Sequence, residues 1–327
     1  LLSLVVAAGC REPSSIDDVP TVRPDGQSND IPNPPSGEGG VDVPNPPQSD
    51  GGMDGGPTAR EVTVRQLQDI ADPGHPAPSS RISVTQPDLV ALTGRVLIGS
   101  STGDNCRFAV WVGVPGGGDF SAIQVQEQFP RGAAMTCFAA MPQKISDMIV
   151  PGTRVQVLDA TYSEFCLAAM QIPMCRDFEQ SQIFLGGRAM LVTMGMGMTP
   201  TPTTVTAAQV GQTAGGMIGT RTLALEGTLI QLSNVRVNSI IADGGFTNVT
   251  VNDPGDATRT VAVQISNFPN TSCVRAHFNT INGMNTTLTG ILVPDFGKWT
   301  IRLRGETDVQ GLSCSRDGGT GMDASRD

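Results

Sequence analysis

Aromatic side chains are scarce: 327 residues hold 11 Phe, 2 Trp and 1 Tyr. A chain so poor in rings lacks the repeated stacking platforms on which sequence-tolerant single-strand binders lay successive bases. Histidine is scarcer, with His75 and His277 alone, and no Cys-x-x-Cys accompanies them, which excludes the usual zinc and haem spacings. Positive charge is in deficit, with 21 Lys and Arg against 31 Asp and Glu, for a net charge of −10. That balance argues against a broad nucleic-acid surface, so nucleic acid is not an expected partner. After the first residues no apolar run reaches the 18 or more residues of a membrane-spanning helix. Nucleophile elbows, phosphate-cradling loops and His-Glu-x-x-His are missing. The chain is therefore expected to be noncatalytic, with no cofactor and no metal.

Glycine and proline are abundant, at 39 and 24, which favours strands joined by turns over long helices. Residues 1–10 are an apolar run, Leu1 to Gly9, that narrows to Ala7-Ala8-Gly9 and stops at Cys10; this reads as the tail of an export signal. Residues 11–60 hold ten prolines and eight glycines, and nine acids against three bases. Too few apolar side chains remain there to offset the entropy of ordering, so a disordered acidic tether is expected. Short β-branched or aromatic runs bounded by Gly, Pro or Asp follow, as in Phe108–Val114 and Ala122–Val125, and predict antiparallel strands. The expected division is a first β domain at 61–188, a linker at 189–205, a second β domain at 206–316 and a disordered tail at 317–327.

Six cysteines besides Cys10, an even count in an exported chain, predict disulfides. Cys273 and Cys314 are the only pair in the second domain and are expected to bridge. Cys106, Cys137, Cys166 and Cys175 allow three pairings between which the sequence does not choose. Thr63 is positioned to cap a helical turn, and Thr203–Val210 repeats that lead. In Trp299–Arg304 alternation sends Trp299, Ile301 and Leu303 to one side and Arg302 and Arg304 to the other. Arg302, Arg304 and Arg259, the last in the loop Asn252–Arg259, are the expected ligand contacts. His277 is expected in a loop, without a catalytic role.

The two domains echo each other. Leu92-Thr93-Gly94-Arg95-Val96-Leu97 corresponds to Leu225-Glu226-Gly227-Thr228-Leu229-Ile230. Ile123-Gln124-Val125 leading to Phe129-Pro130 corresponds to Val263-Gln264-Ile265 leading to Phe268-Pro269. A repeat near 135 residues is a duplication, since solenoid periods are about 20 to 50 residues. A β-hairpin, a third strand, an excursion and two closing strands resemble the five-stranded OB barrel. With the lead helix and Asp308-Val309, the pattern is similar to OB-like repeats of myxobacterial-type exported proteins. Ala7-Ala8-Gly9-Cys10 likewise resembles the lipobox of bacterial lipoproteins. The resemblance implies an all-β chain of two tandem small OB-like barrels, or small β-sandwiches, lipidated at Cys10. With Arg11 after the cysteine it implies outer-membrane placement on the extracytoplasmic side. The implied role is to bind or scaffold an envelope protein or an extracellular polymer; binding of single-stranded nucleic acid or oligosaccharide by the OB-like faces is the alternative.

Overall fold

Thr63 and Thr206 open two short helices in the same way. Each side-chain oxygen accepts from the backbone N–H three residues on, and the glutamine there, Gln66 or Gln209, reaches back to the threonine N–H. Two otherwise unpaired donors are satisfied reciprocally, a capping box. The helices are α1 (Val64–Gln68) and α2 (Ala207–Val210). The computed structural model describes residues 58–100, 105–132, 136–139, 143–166, 177–243, 246–265, 271–295 and 297–314. Cys10, Cys175, the tail 317–327 and nearly all of the tether lie outside the described residues.

Strands β1 (Arg60–Glu61), β2 (Arg81–Val84), β3 (Val90–Ala91), β4 (Val96–Ser100), β5 (Asn105–Gly113), β6 (Ala122–Pro130), β7 (Thr153–Cys166), β8 (Glu179–Phe184) and β9 (Met190–Met196) form one nine-stranded mixed sheet. A second sheet holds β10 (Thr203–Val205), β11 (Leu229–Asp243), β12 (Phe246–Asp253), β13 (Asp256–Gln264), β14 (Asn285–Asp295) and β15 (Lys298–Arg302). Within it β11, β12, β13, β15 and β14 pair in that order, and β14 returns to β11 through Leu229↔Ile291 to Arg236↔Asn285. The sheet is thereby a closed five-stranded barrel. Its fifth strand runs parallel to the third and antiparallel to the fourth. The long helix α3 (Thr271–Thr280) lies between the third and fourth strands and sends Val274 and Phe278 into the barrel core. His277 therefore sits on a helix, not in a loop.

The expectation of two tandem OB-like barrels is corrected. The second domain is a closed five-stranded barrel, whereas the first is a nine-stranded mixed sheet in which the matching ring of strands, β3, β5, β6, β8 and β7, meets through only the single pair Val90↔Arg154. Its opening strand is broken by residues 92–95, so β3 has two residues and meets β7 at the single pair Val90↔Arg154. β7 is long enough to take β2 and β9 along its length as well as β8, and β2 and β9 have no counterpart in the barrel. Each domain is built on one sheet, so the sandwich alternative is not realised either.

Alternation sets two apolar layers. On β5, Phe108, Val110 and Val112 point into the first core with Ile123, Val125 and Tyr162. Ala109 and Trp111 point the other way. They meet Val90, Leu92 and Ala122 of the first sheet and Leu229, Ile291 and Val293 of the barrel in a third cluster that both domains build. Phe178, just before β8, belongs to the barrel core, and its carbonyl neighbour Asp177 accepts from Trp299 Nε1 at 3.0 Å. Disulfides join Cys106 to Cys137 and Cys273 to Cys314. The second ties α3 to the segment after β15 and, in the chain-entropy account, closing a loop of that length is worth about 4 kcal/mol. Replacing Cys273 and Cys314 together by serine is expected to lower unfolding free energy by about 2–4 kcal/mol. Urea titration of the variant checks this, and an unchanged midpoint would remove the bridge as a stabilising element.

The sequence pattern places a strand from Leu223. Instead residues 220–227 form successive turns, and Gly227, at φ 70°, lies against the backbone of Ala122 and Ile123. These turns carry Glu226, a buried residue whose Oε1 accepts from Ser181 N at 2.9 Å. Burial raises its pKa well above 4.5, and Glu179 and Glu164 nearby add to the rise. The folded state therefore holds a proton there that the unfolded state releases first. Stability from this group is present below pH 4.5 and is lost as pH rises through the raised value. Glu226→Gln keeps an acceptor for Ser181 N–H and removes the titration. It is expected to flatten the fall in thermal midpoint with pH and to be more stable than the parent at neutral pH; an unaltered pH slope would count against the buried proton.

Candidate functional site

The outward faces of β5, β6 and β8 repeat one chemistry. Three alternate residues of β6 are amides, Gln124, Gln126 and Gln128, and β8 adds Gln180 and Gln182. Register brings them side by side: Trp111 lies opposite Gln124, Ala109 opposite Gln126 and Arg107 opposite Gln128, while Gln124 lies beside Gln182. Gln180 Nε2 donates to Gln124 Oε1. Arg107 donates to Gln128 Oε1 at 3.2 Å and stands over the Phe165 ring at 5.7 Å.

The barrel faces this amide ladder with the end of β14 and with β15. Val293, Pro294, Asp295 and Arg302 complete a cleft of about 180 Å³ whose other walls include Ile98, Arg107, Trp111 and the glutamines. Arg302 places its guanidinium 5.4 Å from the Trp111 ring centre, a cation–π arrangement. Arg302 Nε and Nη1 and Trp111 Nε1 are shielded from solvent and have no hydrogen-bond partner. Leaving a buried donor unpaired costs about 1–3 kcal/mol, more for a charged group. Burial pushes the Arg302 pKa down against the pull of Asp295. Burial likewise pushes Asp295 up, opposed by Arg302. Each is the other's partial compensation in a site short of water.

Of the three arginines expected as contacts, the structure places only Arg302 in this cleft. Arg304 is held by Asp308 at 2.7 and 3.1 Å, and its Nη1 donates to Leu92 O at 3.2 Å, fastening the barrel to the first sheet. Arg259 Nη1 donates to Met217 O at 3.0 Å. The loop Asn252–Arg259 is a built turn: Asn252 Nδ2 donates to Asp253 O and Asp256 O, and Asp253 accepts from Ala207 N and Ala208 N at the start of α2. His277 Nε2 is buried without a partner and is not among the cleft residues. Trp111, Asp295, Arg107 and the glutamines are the residues that sequence reading missed. The signal for the amides was present, because Gln124-Val125-Gln126-Glu127-Gln128 and Gln180-Ser181-Gln182 alternate with period two. Among the described residues no cluster of three or more His, Cys, Asp or Glu side chains is arranged to hold a metal ion, and no helix is long and apolar enough to cross a membrane.

No family model matches this sequence, and no curated protein matches it. Solved structures do. One, described as a murine DNA binding protein bound with ds DNA, is 10% identical and covers 68% of this chain and 93% of its own, with a TM-score of 0.28. Another, fission yeast Pot1 and ssDNA, is 8% identical and covers 75% and 84%, with a TM-score of 0.30. A third, described as the molecular basis for abrogation of activation of pro-inflammatory cytokines, is 9% identical over 71% and 92%, at 0.30. Likenesses this remote do not transfer what those proteins bind to this chain. The expected lipoprotein resemblance is corrected: no family model or curated protein supports it, and the residues that carry it, Leu1 to Cys10, lie outside the described residues. With it go the outer-membrane placement, the membrane and envelope or polymer partners, and the lipid-anchored scaffold role that followed from it. The exclusion of nucleic acid is corrected as well, and the structure supplies the physical reason: net charge sums acids along the whole chain, whereas Arg107 and Arg302 share one cleft with amides that complement base edges.

Proposed function

We propose that this protein binds single-stranded nucleic acid, without catalysis, in the cleft between the amide face of β5, β6 and β8 and the β14–β15 hairpin. The observation that carries the reading is Arg302: a cation set on Trp111, with two shielded N–H nitrogens that lack an acceptor, amid glutamines that can both donate and accept. In OB-type barrels the connection between the fourth and fifth strands borders the oligonucleotide site, and here the β14–β15 hairpin borders the cleft. A duplex keeps its base edges paired and does not present them to so small a site. Oligosaccharide binding has the same amides in its favour, but Trp111 is 1% exposed and offers a sugar no open ring face.

Fluorescence anisotropy with labelled single-stranded oligomers at low ionic strength tests the reading. Binding is expected to weaken with salt only gently, with a log–log slope of about −0.7, because Arg107 is the one cleft arginine left to neutralise a phosphate. Arg302→Gln is expected to weaken binding by about tenfold, and Gln126→Ala by less, with thermal midpoints recorded alongside to separate folding from binding. Matching duplex is expected to compete poorly. No salt-sensitive signal with any single strand, alongside binding to an oligosaccharide panel, would replace nucleic acid with glycan.

A further inference from the structure

Resting on the single-strand reading, we infer that the cleft selects one unpaired guanine. The juxtaposition of Arg302 and Asp295 in one small amide-lined cavity points to it. Drug-sized pockets run from about 300 Å³ upward, so a cleft of about 180 Å³ is sized for one flat group and not for a stack of several. Its walls offer two opposite hydrogen-bonding characters side by side. Arg302 has only donors, and its shielded nitrogens lack acceptors; Asp295, when ionised, only accepts.

A phosphate would satisfy Arg302 and be repelled by Asp295. A neutral sugar would leave the cation without a charged or strongly polar acceptor. Guanine answers both walls: O6 and N7 are adjacent acceptors suited to an arginine, and N1–H with the N2 amino group are adjacent donors suited to a carboxylate. Adenine sets a donor, N6, beside N7 and opposes a guanidinium there. Thymine has only one N–H to offer Asp295. Cytosine gives the carboxylate one donor, N4, and stands second. Gln182 and Gln126 flank the cleft and tolerate either edge, since an amide turns to donate or accept.

The test uses the full chain and thymidine oligomers carrying one central guanine, cytosine, adenine or thymine, read by anisotropy at low salt. The guanine oligomer is expected to bind at least about tenfold tighter than the adenine or thymine one. Two analogues probe the walls without altering the protein: 7-deazaguanine, which lacks the N7 acceptor, and hypoxanthine, which lacks the N2 amino group, are each expected to lose most of that advantage. Asp295→Asn is expected to reduce the guanine preference, read as the ratio of guanine-oligomer to thymidine-oligomer affinity. Equal affinity for all four oligomers, or undiminished binding of both analogues, overturns guanine selection and leaves single-strand binding standing. No binding of any oligomer overturns the single-strand reading itself.

Discussion

The apolar seam between the two sheets fixes everything that follows. Ala109, Trp111, Val90, Leu92 and Ala122 on one side close against Leu229, Ile291 and Val293 on the other. Burying one large apolar side chain is worth about 1.5–3 kcal/mol, so this cluster resists the relative motion that polar domain boundaries allow. Trp111 belongs at once to the seam and to the cleft wall. The position of Arg302 over its ring is therefore set by packing that neither domain completes alone. Arg304 reinforces the same joint by reaching Leu92 O, and Trp299 does so from the far side through Asp177 O.

Glycine contributes at a point inside the barrel where no other residue fits. A Cβ on Gly290 would lie 2.5 Å from Ile301 Cγ2 and 2.7 Å from Arg302 O, closer than real Cβ atoms approach. Its bareness lets β14 press against β15, the strand that ends in Arg302. The carboxylates show a related economy. Glu127 is buried yet accepts from Ile145 N and Lys144 N, whereas Glu226 has one such donor and two acidic neighbours. Burial raises the pKa of both, but at Glu127 the two backbone donors with Arg95 and Lys144 pull it back down, whereas at Glu226 the acidic neighbours push it further up.

Local signals carried much of the fold. Thr63-x-x-Gln66 and Thr206-x-x-Gln209 mark both helix starts, period-two alternation marks β5 and β6, and the closing strand of the barrel follows from Trp299-Thr300-Ile301-Arg302. Duplicated sequence misled at the level of architecture. Leu92-Thr93-Gly94 and Leu225-Glu226-Gly227 are alike in composition, yet the first lies in the break between β3 and β4 and the second in turns before β11. Partner strands outside the repeat, β2 and β9, decide what the first sheet becomes. The cleft was half legible. Arg302 follows from alternation, but Asp295 and the glutamines acquire meaning only when strands far apart in sequence are laid side by side, and net charge conceals two arginines that share one small space.

A seam shared by two domains also orders events in time. A ribosome delivers Val90, Leu92, Ala109, Trp111 and Ala122 well before it delivers Leu229, Ile291 and Val293. Throughout that interval the first sheet, however complete its own core, presents an apolar stripe to the surrounding water. Such stripes invite association with other nascent chains or with chaperones. The covering surface arrives with β11 and β14, so the barrel acts as the late-arriving half of its neighbour's interior as well as a domain in its own right.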